Sequence, residues 1–143
     1  MKILILCTGN SCRSQMAHGF LQSFDPRLQV FSAGTEPADR VNAQAVAVMA
    51  EIGIDIGPHV PIHISQYLGE EWDFVITVCG GANESCPVFT GQVKSRLHFG
   101  FADPSQEQGS PEHVMQVFRQ VRDAIKARFY EFYCEQIEPL LRK

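Results

Sequence analysis

Residues 2–20 read Lys2-Ile3-Leu4-Ile5-Leu6-Cys7-Thr8-Gly9-Asn10-Ser11-Cys12-Arg13-Ser14-Gln15-Met16-Ala17-His18-Gly19-Phe20, and the change of pattern inside them decides the fold class. The run from Ile3 to Leu6 is apolar without alternation, which marks a strand covered on both faces. It stops at the turn-forming Cys7-Thr8-Gly9-Asn10. From Ser14 to about Phe24 the large apolar residues Met16, Phe20 and Phe24 recur every four positions and so share one helical face. Further along, Leu28–Ala33 predicts a second strand, and an Ala-rich periodic stretch beginning at an Asn42 cap predicts a helix to about Ile52. Gly53–His63, with two prolines, is a loop, and a short helix follows from Ser65. Asp73–Cys79 predicts a third strand, since five consecutive residues favour extended backbone, and Ser95–Phe99 a fourth. Ser110-Pro111-Glu112 supplies a cap, a first-position proline and an early acid. On the long helix that follows, Val114, Phe118, Val121, Ile125, Phe129 and Phe132 keep to one side. Cys134 lies about 200° around that wheel from Phe132 and faces away from the core. Strands alternating with helices predict an α/β fold, a parallel sheet wrapped by helices with ligands at the carboxyl ends of the strands. Cys7 and Cys79 both fall at such ends.

The chain has 143 residues, 45% hydrophobic and 20% charged, with twelve Lys and Arg against sixteen Asp and Glu. That size and apolar content predict one domain over residues 1–143. A formal charge of −4 lacks the basic footprint of a nucleic-acid binder. The apolar start is far shorter than a signal-peptide core or the roughly 20 residues that span a membrane, so neither nucleic acid nor membrane is expected as a partner and a cytoplasmic location is. Five cysteines, at 7, 12, 79, 86 and 134, are an odd number. In a reducing compartment such thiols are catalytic, redox-active or metal-binding more often than structural staples.

Cys7 ends a strand, five residues intervene, and Arg13 and the hydroxyl residue Ser14 open a helix. This suits a tetrahedral oxyanion: backbone N–H groups of Thr8, Gly9, Asn10, Ser11 and Cys12, the positive end of the helix, and the Arg13 guanidinium can converge on three oxygens. The same donors stabilise a thiolate at Cys7, and Ser14 offers it a hydroxyl, which are the surroundings of a nucleophile. The plainer alternative makes Cys7 a small apolar strand end and Arg13 a surface charge. Asn10 is either a left-handed loop residue or a hydrogen-bonding brace, and the two are compatible.

The loop Cys-Thr-Gly-Asn-Ser-Cys-Arg-Ser-Gln-Met-Ala, residues 7–17, closely resembles that of the thioredoxin-coupled arsenate reductases, which share their fold with the low-molecular-weight protein tyrosine phosphatases. The resemblance continues through Phe31-Ser32-Ala33-Gly34, Val75-Ile76-Thr77-Val78-Cys79, Cys86-Pro87, His98-Phe99-Gly100-Phe101 and Asp103-Pro104, and weakens after about Lys126. It implies a three-layer sandwich with a four-stranded parallel sheet in the order 2-1-3-4 flanked by helices. It also implies a relay: Cys7 attacks arsenate, Cys79 attacks Cys7 to release arsenite, and Cys86 attacks Cys79 to leave a Cys79–Cys86 disulfide that thioredoxin or an equivalent thiol donor reduces. No tightly bound cofactor is implied, and a monomer is expected.

Cys79 and Cys86 are seven positions apart, about 10.5 Å of rise on an intact helix, beyond the roughly 4.4–6.8 Å between α-carbons that a disulfide tolerates. A bond between them therefore needs an irregular segment, which Gly80 and Gly81 make cheap. A structural zinc site would prefer closer pairs; isolated structural thiols are the other alternative. Cys12 is expected to take no chemical step, and Cys134 has no assigned role. Asp103-Pro104 is either a turn starter or the acid that protonates the leaving oxygen. Ser105 and Gln106 follow it where the phosphatases usually carry an aromatic residue, which favours a small inorganic substrate over phosphotyrosine. The runner-up function is a phosphomonoesterase using Cys7, Arg13 and Asp103, and a third is a thiol regulator without turnover. Some reductases of this family bind potassium through Asn, Glu, Ser and Asp. Here Asn10 and Ser32 match, but His18 and Ile62 stand in for the acids, so no specific potassium activation and no metal site are expected. His59 and His98 stand where the related reductases also carry histidine and are expected to be hydrogen-bonded structural residues; His18, His63 and His113 form no ligand spacing with the cysteines, and none of the five is given a catalytic role.

Overall fold

The strand β1 (Lys2–Cys7) forms the centre of a parallel sheet in which order follows from pairing. It aligns with β2 (Gln29–Gly34) from Lys2 opposite Gln29 to Cys7 opposite Gly34. On its other side Ile3 to Leu6 align with Phe74 to Thr77 of β3 (Glu71–Thr77). The edge strand β4 (Gln92–His98) pairs with β3, giving the order β2-β1-β3-β4. This computed structural model describes residues 1–80 and 89–142.

The uninterrupted apolar run of β1 has a direct structural cause. Successive side chains alternate faces, and both faces are covered: Ile3, Ile5 and Cys7 join one core cluster, and Leu4 and Leu6 the other. Ile3 to Leu6 are fully buried, a gross gain of roughly 6–12 kcal/mol at about 1.5–3 per side chain. The first cluster lies under α1 (Arg13–Phe24), α2 (Ala43–Ala50) and α3 (Pro111–Phe132). The second layer of cover is thinner: a 3₁₀ turn at Ile64–Tyr67, with Trp72 and Phe89. Helices, sheet and this second cover make the three layers.

The helix signals act where the sequence puts them. Asn42 Oδ1 accepts from the N–H groups of Gln44 (2.9 Å) and Ala45 (3.2 Å), and Ser110 Oγ accepts from that of His113 (3.1 Å). Phe118, Ile125, Phe129 and Phe132 of α3 are buried, with Val114 and Val121 half-buried against the same core. Element ends shift by a few residues. The third strand starts earlier, at Glu71, because Glu71 and Trp72 pair with Gln92 and Val93, and its pairing stops at Thr77. Val78 instead donates to the Leu6 carbonyl. Residue preference marks extended backbone but not where a partner strand ends. The second helix stops at Ala50, and Gly53 turns the chain away at φ 81°.

After α3 the chain takes a π turn over Tyr133–Ile137 before a short α4 (Glu138–Leu141). Pro139 lacks the N–H that a continuous α-helix would need, and the wider turn brings Ile137 into the core. Cys134, half-buried, belongs to neither cluster. Tyr133 OH donates to the buried Asp25 carboxylate at 2.8 Å, tying this end of the chain to the end of α1. Hydrogen bonds from Arg27 hold Asp25 well below the usual carboxylate range. Among the described residues no helix is long and apolar enough to cross a membrane.

Candidate active site

The loop between β1 and α1 is held by its carbonyls. Thr8 O accepts from Glu36 N (3.0 Å), Gly9 O from Ala38 N (2.9 Å), Ser11 O from Asn42 N (2.8 Å) and Cys12 O from Met16 N (2.9 Å). Asn10 O accepts from the Gln15 side-chain amide at 3.0 Å. In a planar trans peptide the N–H points opposite to the carbonyl. Five carbonyls turned outward therefore turn the N–H groups of Gly9, Asn10, Ser11, Cys12 and Arg13 to the inner side, a nest for an anion. The segment after β2 that supplies three of these donors can come this close because of Gly34, where a Cβ would lie 2.3 Å from the Thr8 carbonyl oxygen.

Asn10 fills both roles that its residue type allowed. It is fully buried in the left-handed region, φ 50°, at a cost that its side chain helps offset. Its Nδ2 donates to Ser14 Oγ (2.8 Å) and its Oδ1 accepts from Ile62 N (2.9 Å). The start of α1 has no hydrogen bond from its cap side chain and no acid in its first turn, so no negative side chain of its own opposes an anion at the positive end of the helix.

Arg13 is buried, 3% exposed, which rules out the surface-charge alternative. Its Nη1 donates to the Phe101 carbonyl (3.0 Å) and its Nη2 lies 3.6 Å from Asp103 Oδ2. Asp103 Oδ1 accepts from the backbone N–H (3.0 Å) and hydroxyl (2.7 Å) of Ser105, capping the 3₁₀ turn Pro104–Gln106. The same carboxyl thus starts a turn and faces the guanidinium. Cys7 and Cys12, both thiols, are buried beside it. Burial first, and then the Asp103 charge, push the Cys12 thiol far up, outweighing Arg13. Cys12 therefore stays protonated at neutral pH.

Cys79 is buried two residues beyond β3, at the same end of the sheet as Cys7, and is disulfide-bonded. Gly80 follows where the chain passes the backbone of residues 100–101 so closely that a Cβ would meet Phe101 N at 2.8 Å. Cys86, and the irregular segment expected between the two cysteines, lie outside the described residues. His98 Nδ1 meets Thr77 Oγ1 at 2.7 Å across the ends of β4 and β3.

His59, like His98, is hydrogen-bonded as expected; sequence reasoning missed Gln15, its partner, and the stack with His18. His59 Nδ1 lies 2.9 Å from Gln15 Oε1, the His59 ring stacks on His18 (centroids 4.5 Å apart), and His18 Nδ1 meets Ser32 Oγ at 2.9 Å. Burial, then the neighbouring His59, lower the His18 pKa to about 4, and burial lowers that of His59. The oxygens of Asn10 and Ser32 thus already have protein partners, and His18 and Ile62 add no anionic oxygen. These residues do not fit a potassium ion, which takes hard oxygen ligands.

A family model described as low molecular weight phosphotyrosine protein phosphatase matches residues 2–140. An arsenate reductase of Halalkalibacterium halodurans is 47% identical over 131 residues, 91% of this chain and 93% of that one. One of Shouchella clausii is 46% identical over 131 residues, with the same coverage of 91% and 93%. A solved structure described as an arsenate reductase in the phosphate binding state superposes with a TM-score of 0.77 at 32% identity, covering 94% of this chain and 97% of that one.

Proposed function

The chain belongs to the low-molecular-weight phosphotyrosine protein phosphatase family, and from that premise we propose that it reduces arsenate to arsenite at the expense of a dithiol. The observation that carries this reading beyond phosphate ester chemistry is Cys79, a second buried sulfur at the strand end beside the Cys7 loop, in disulfide-bonded form. The similarity to arsenate reductases over nine-tenths of the chain supports it.

Arsenate sits in the loop, its oxygens on the inward N–H groups of residues 9–13 and on Arg13. The Cys7 thiolate attacks arsenic, a sulfur–arsenic bond forms, and an arsenic–oxygen bond breaks. Asp103 gives its proton to that oxygen, which leaves as water. Ser14, whose oxygen accepts from Asn10, has its own hydrogen to give to the sulfur. The Cys79 thiolate then attacks Cys7 sulfur. A disulfide forms, the sulfur–arsenic bond breaks with its electron pair on arsenic, and arsenic(V) becomes arsenic(III). Cys86 attacks Cys79, freeing Cys7 as a thiolate and leaving the Cys79–Cys86 disulfide for thioredoxin or an equivalent dithiol to reduce. The two electrons come from the two relay thiols, so no bound cofactor or metal takes part. Every group named belongs to one chain, and we read it as one domain acting as a monomer in the reducing cytoplasm. Slow aryl phosphate hydrolysis by the same loop is compatible with this chemistry.

The test is arsenate-dependent NADPH oxidation with thioredoxin and its reductase. Cys86→Ser is expected to release about one arsenite per enzyme and stop with Cys7 joined to Cys79, which a peptide map reads directly. Normal turnover by Cys86→Ser overturns the relay.

A further inference from the structure

We propose that Gln15, anchored by His59, is a positioning residue that fixes which way the Asn10–Ser11 peptide faces, and so keeps one N–H donor of the oxyanion loop in place. Of the five outward carbonyls from Thr8 to Cys12, four are held by backbone N–H groups. The carbonyl of Asn10 is held by a side chain, the amide of Gln15. That peptide follows the one non-glycine residue with positive φ among the described residues, where local preference gives the chain least reason to stay. If the peptide turns over, the Ser11 N–H leaves the nest and a carbonyl oxygen faces the anion in its place, so a donor is lost and a repulsion gained.

The orientation of Gln15 is itself determined. Its Nε2 lies 3.0 Å from the Asn10 carbonyl and 3.4 Å from the Val60 carbonyl. Both can only accept, so this end of the amide is the NH₂ group and Oε1 must accept. The partner of Oε1 is His59 Nδ1 at 2.9 Å, which is therefore the protonated ring nitrogen. The stack on His18, itself bonded to Ser32, holds the His59 ring in plane for this contact. Residues 59–62 thus grip the loop at three points: the His59 ring and the Val60 carbonyl through Gln15, and the Ile62 N–H through Asn10. Gln15 is almost fully buried and does not reach solvent, and none of its bonds needs it to touch the anion.

This inference rests on the reading of the loop as an oxyanion site, not on the reductase chemistry, and inorganic phosphate is therefore the probe. Calorimetry is expected to show phosphate binding weakened about 10- to 100-fold in Gln15→Leu and about 3- to 10-fold in His59→Leu. His59→Asn, whose amide N–H takes the position of Nδ1, is expected to bind within about twofold of the parent. KM for arsenate is expected to rise with the phosphate Kd, while the rate at which thioredoxin reduces the pre-oxidised protein stays unchanged. Phosphate binding by folded Gln15→Leu within twofold of the parent overturns the inference, as does an equal loss in the thioredoxin step. Should Gln15→Leu fail to fold, equal affinities for His59→Leu and His59→Asn overturn it instead. A parent protein that binds phosphate but reduces no arsenate sinks the reductase reading and leaves this one standing.

Discussion

The N-termini of α1 and α3 are built on opposite principles. At α3, Ser110 accepts from the His113 N–H, Pro111 occupies the first turn, and Glu112 adds a negative charge; each device stabilises the helix. At α1 the cap position is Cys12, with no side-chain hydrogen bond to the helix, no acid in the first turn, and a buried arginine as its first residue. The α1 start thus lacks the cap and the acid that α3 has, and an oxyanion placed there would meet the positive end of the helix. The difference separates a helix start made for stability from one whose own side chains do not compete with a ligand for its positive end.

Substitutions at the two ends should therefore dissociate activity from stability. The largest effect is expected from Arg13→Lys, which keeps the charge but cannot hold the Phe101 carbonyl and grip an oxyanion at once. Its kcat/KM for arsenate should fall about 10²- to 10³-fold, with little loss of thermal stability. Activity within tenfold of the parent would show that the α1 terminus does not depend on the guanidinium fork.

A smaller effect is expected from His18, farther along α1. Its pKa is lowered to about 4 in the folded protein against roughly 6.5 unfolded, so the unfolded chain binds the extra proton first as pH falls. The folded state is at full stability above about pH 6.5 and loses up to about 2–3 kcal/mol through this group by about pH 4. Urea melts of the parent and His18→Gln at pH 7 and pH 4.5 would measure this. The substitution should flatten the slope, and an unchanged slope would remove His18 as its source.

The smallest effect belongs to α3. Ser110→Ala is expected to cost about 1 kcal/mol of stability and leave kcat/KM unchanged. A drop in activity at constant stability would mean that the two termini are not as separate as their chemistry suggests.

Much of the site was legible because its parts are local. Cys7, Arg13 and Ser14 have a spacing that strand, turn and helix make meaningful, and the caps at Asn42 and Ser110 need only neighbouring N–H groups. Asp103 showed its turn-starting role in its residue type, while its place beside Arg13 came from the fold. Gln15 left no such trace, and His59 showed only that it would be hydrogen-bonded, not to what. A glutamine in a helix and a histidine 44 positions later form a hydrogen bond only once the fold brings them together. The π turn at Tyr133–Ile137 was equally silent, although Pro139 supplies its cause.

The sequence by itself determined the alternation of strand and helix, the two-faced burial of β1, the turn after Cys7 and the helix starts, because propensity, periodicity and capping act over a few residues. Only the tertiary structure decided that Arg13 is buried against Phe101 and Asp103, that the loop's carbonyls face the segment after β2, Gln15 and α1, and that the carbonyl of Asn10 is held by the side chain of Gln15, itself anchored by His59. Those outcomes depend on hydrogen bonds between segments tens of residues apart, whose partners and directions have no local signature until the chain has packed.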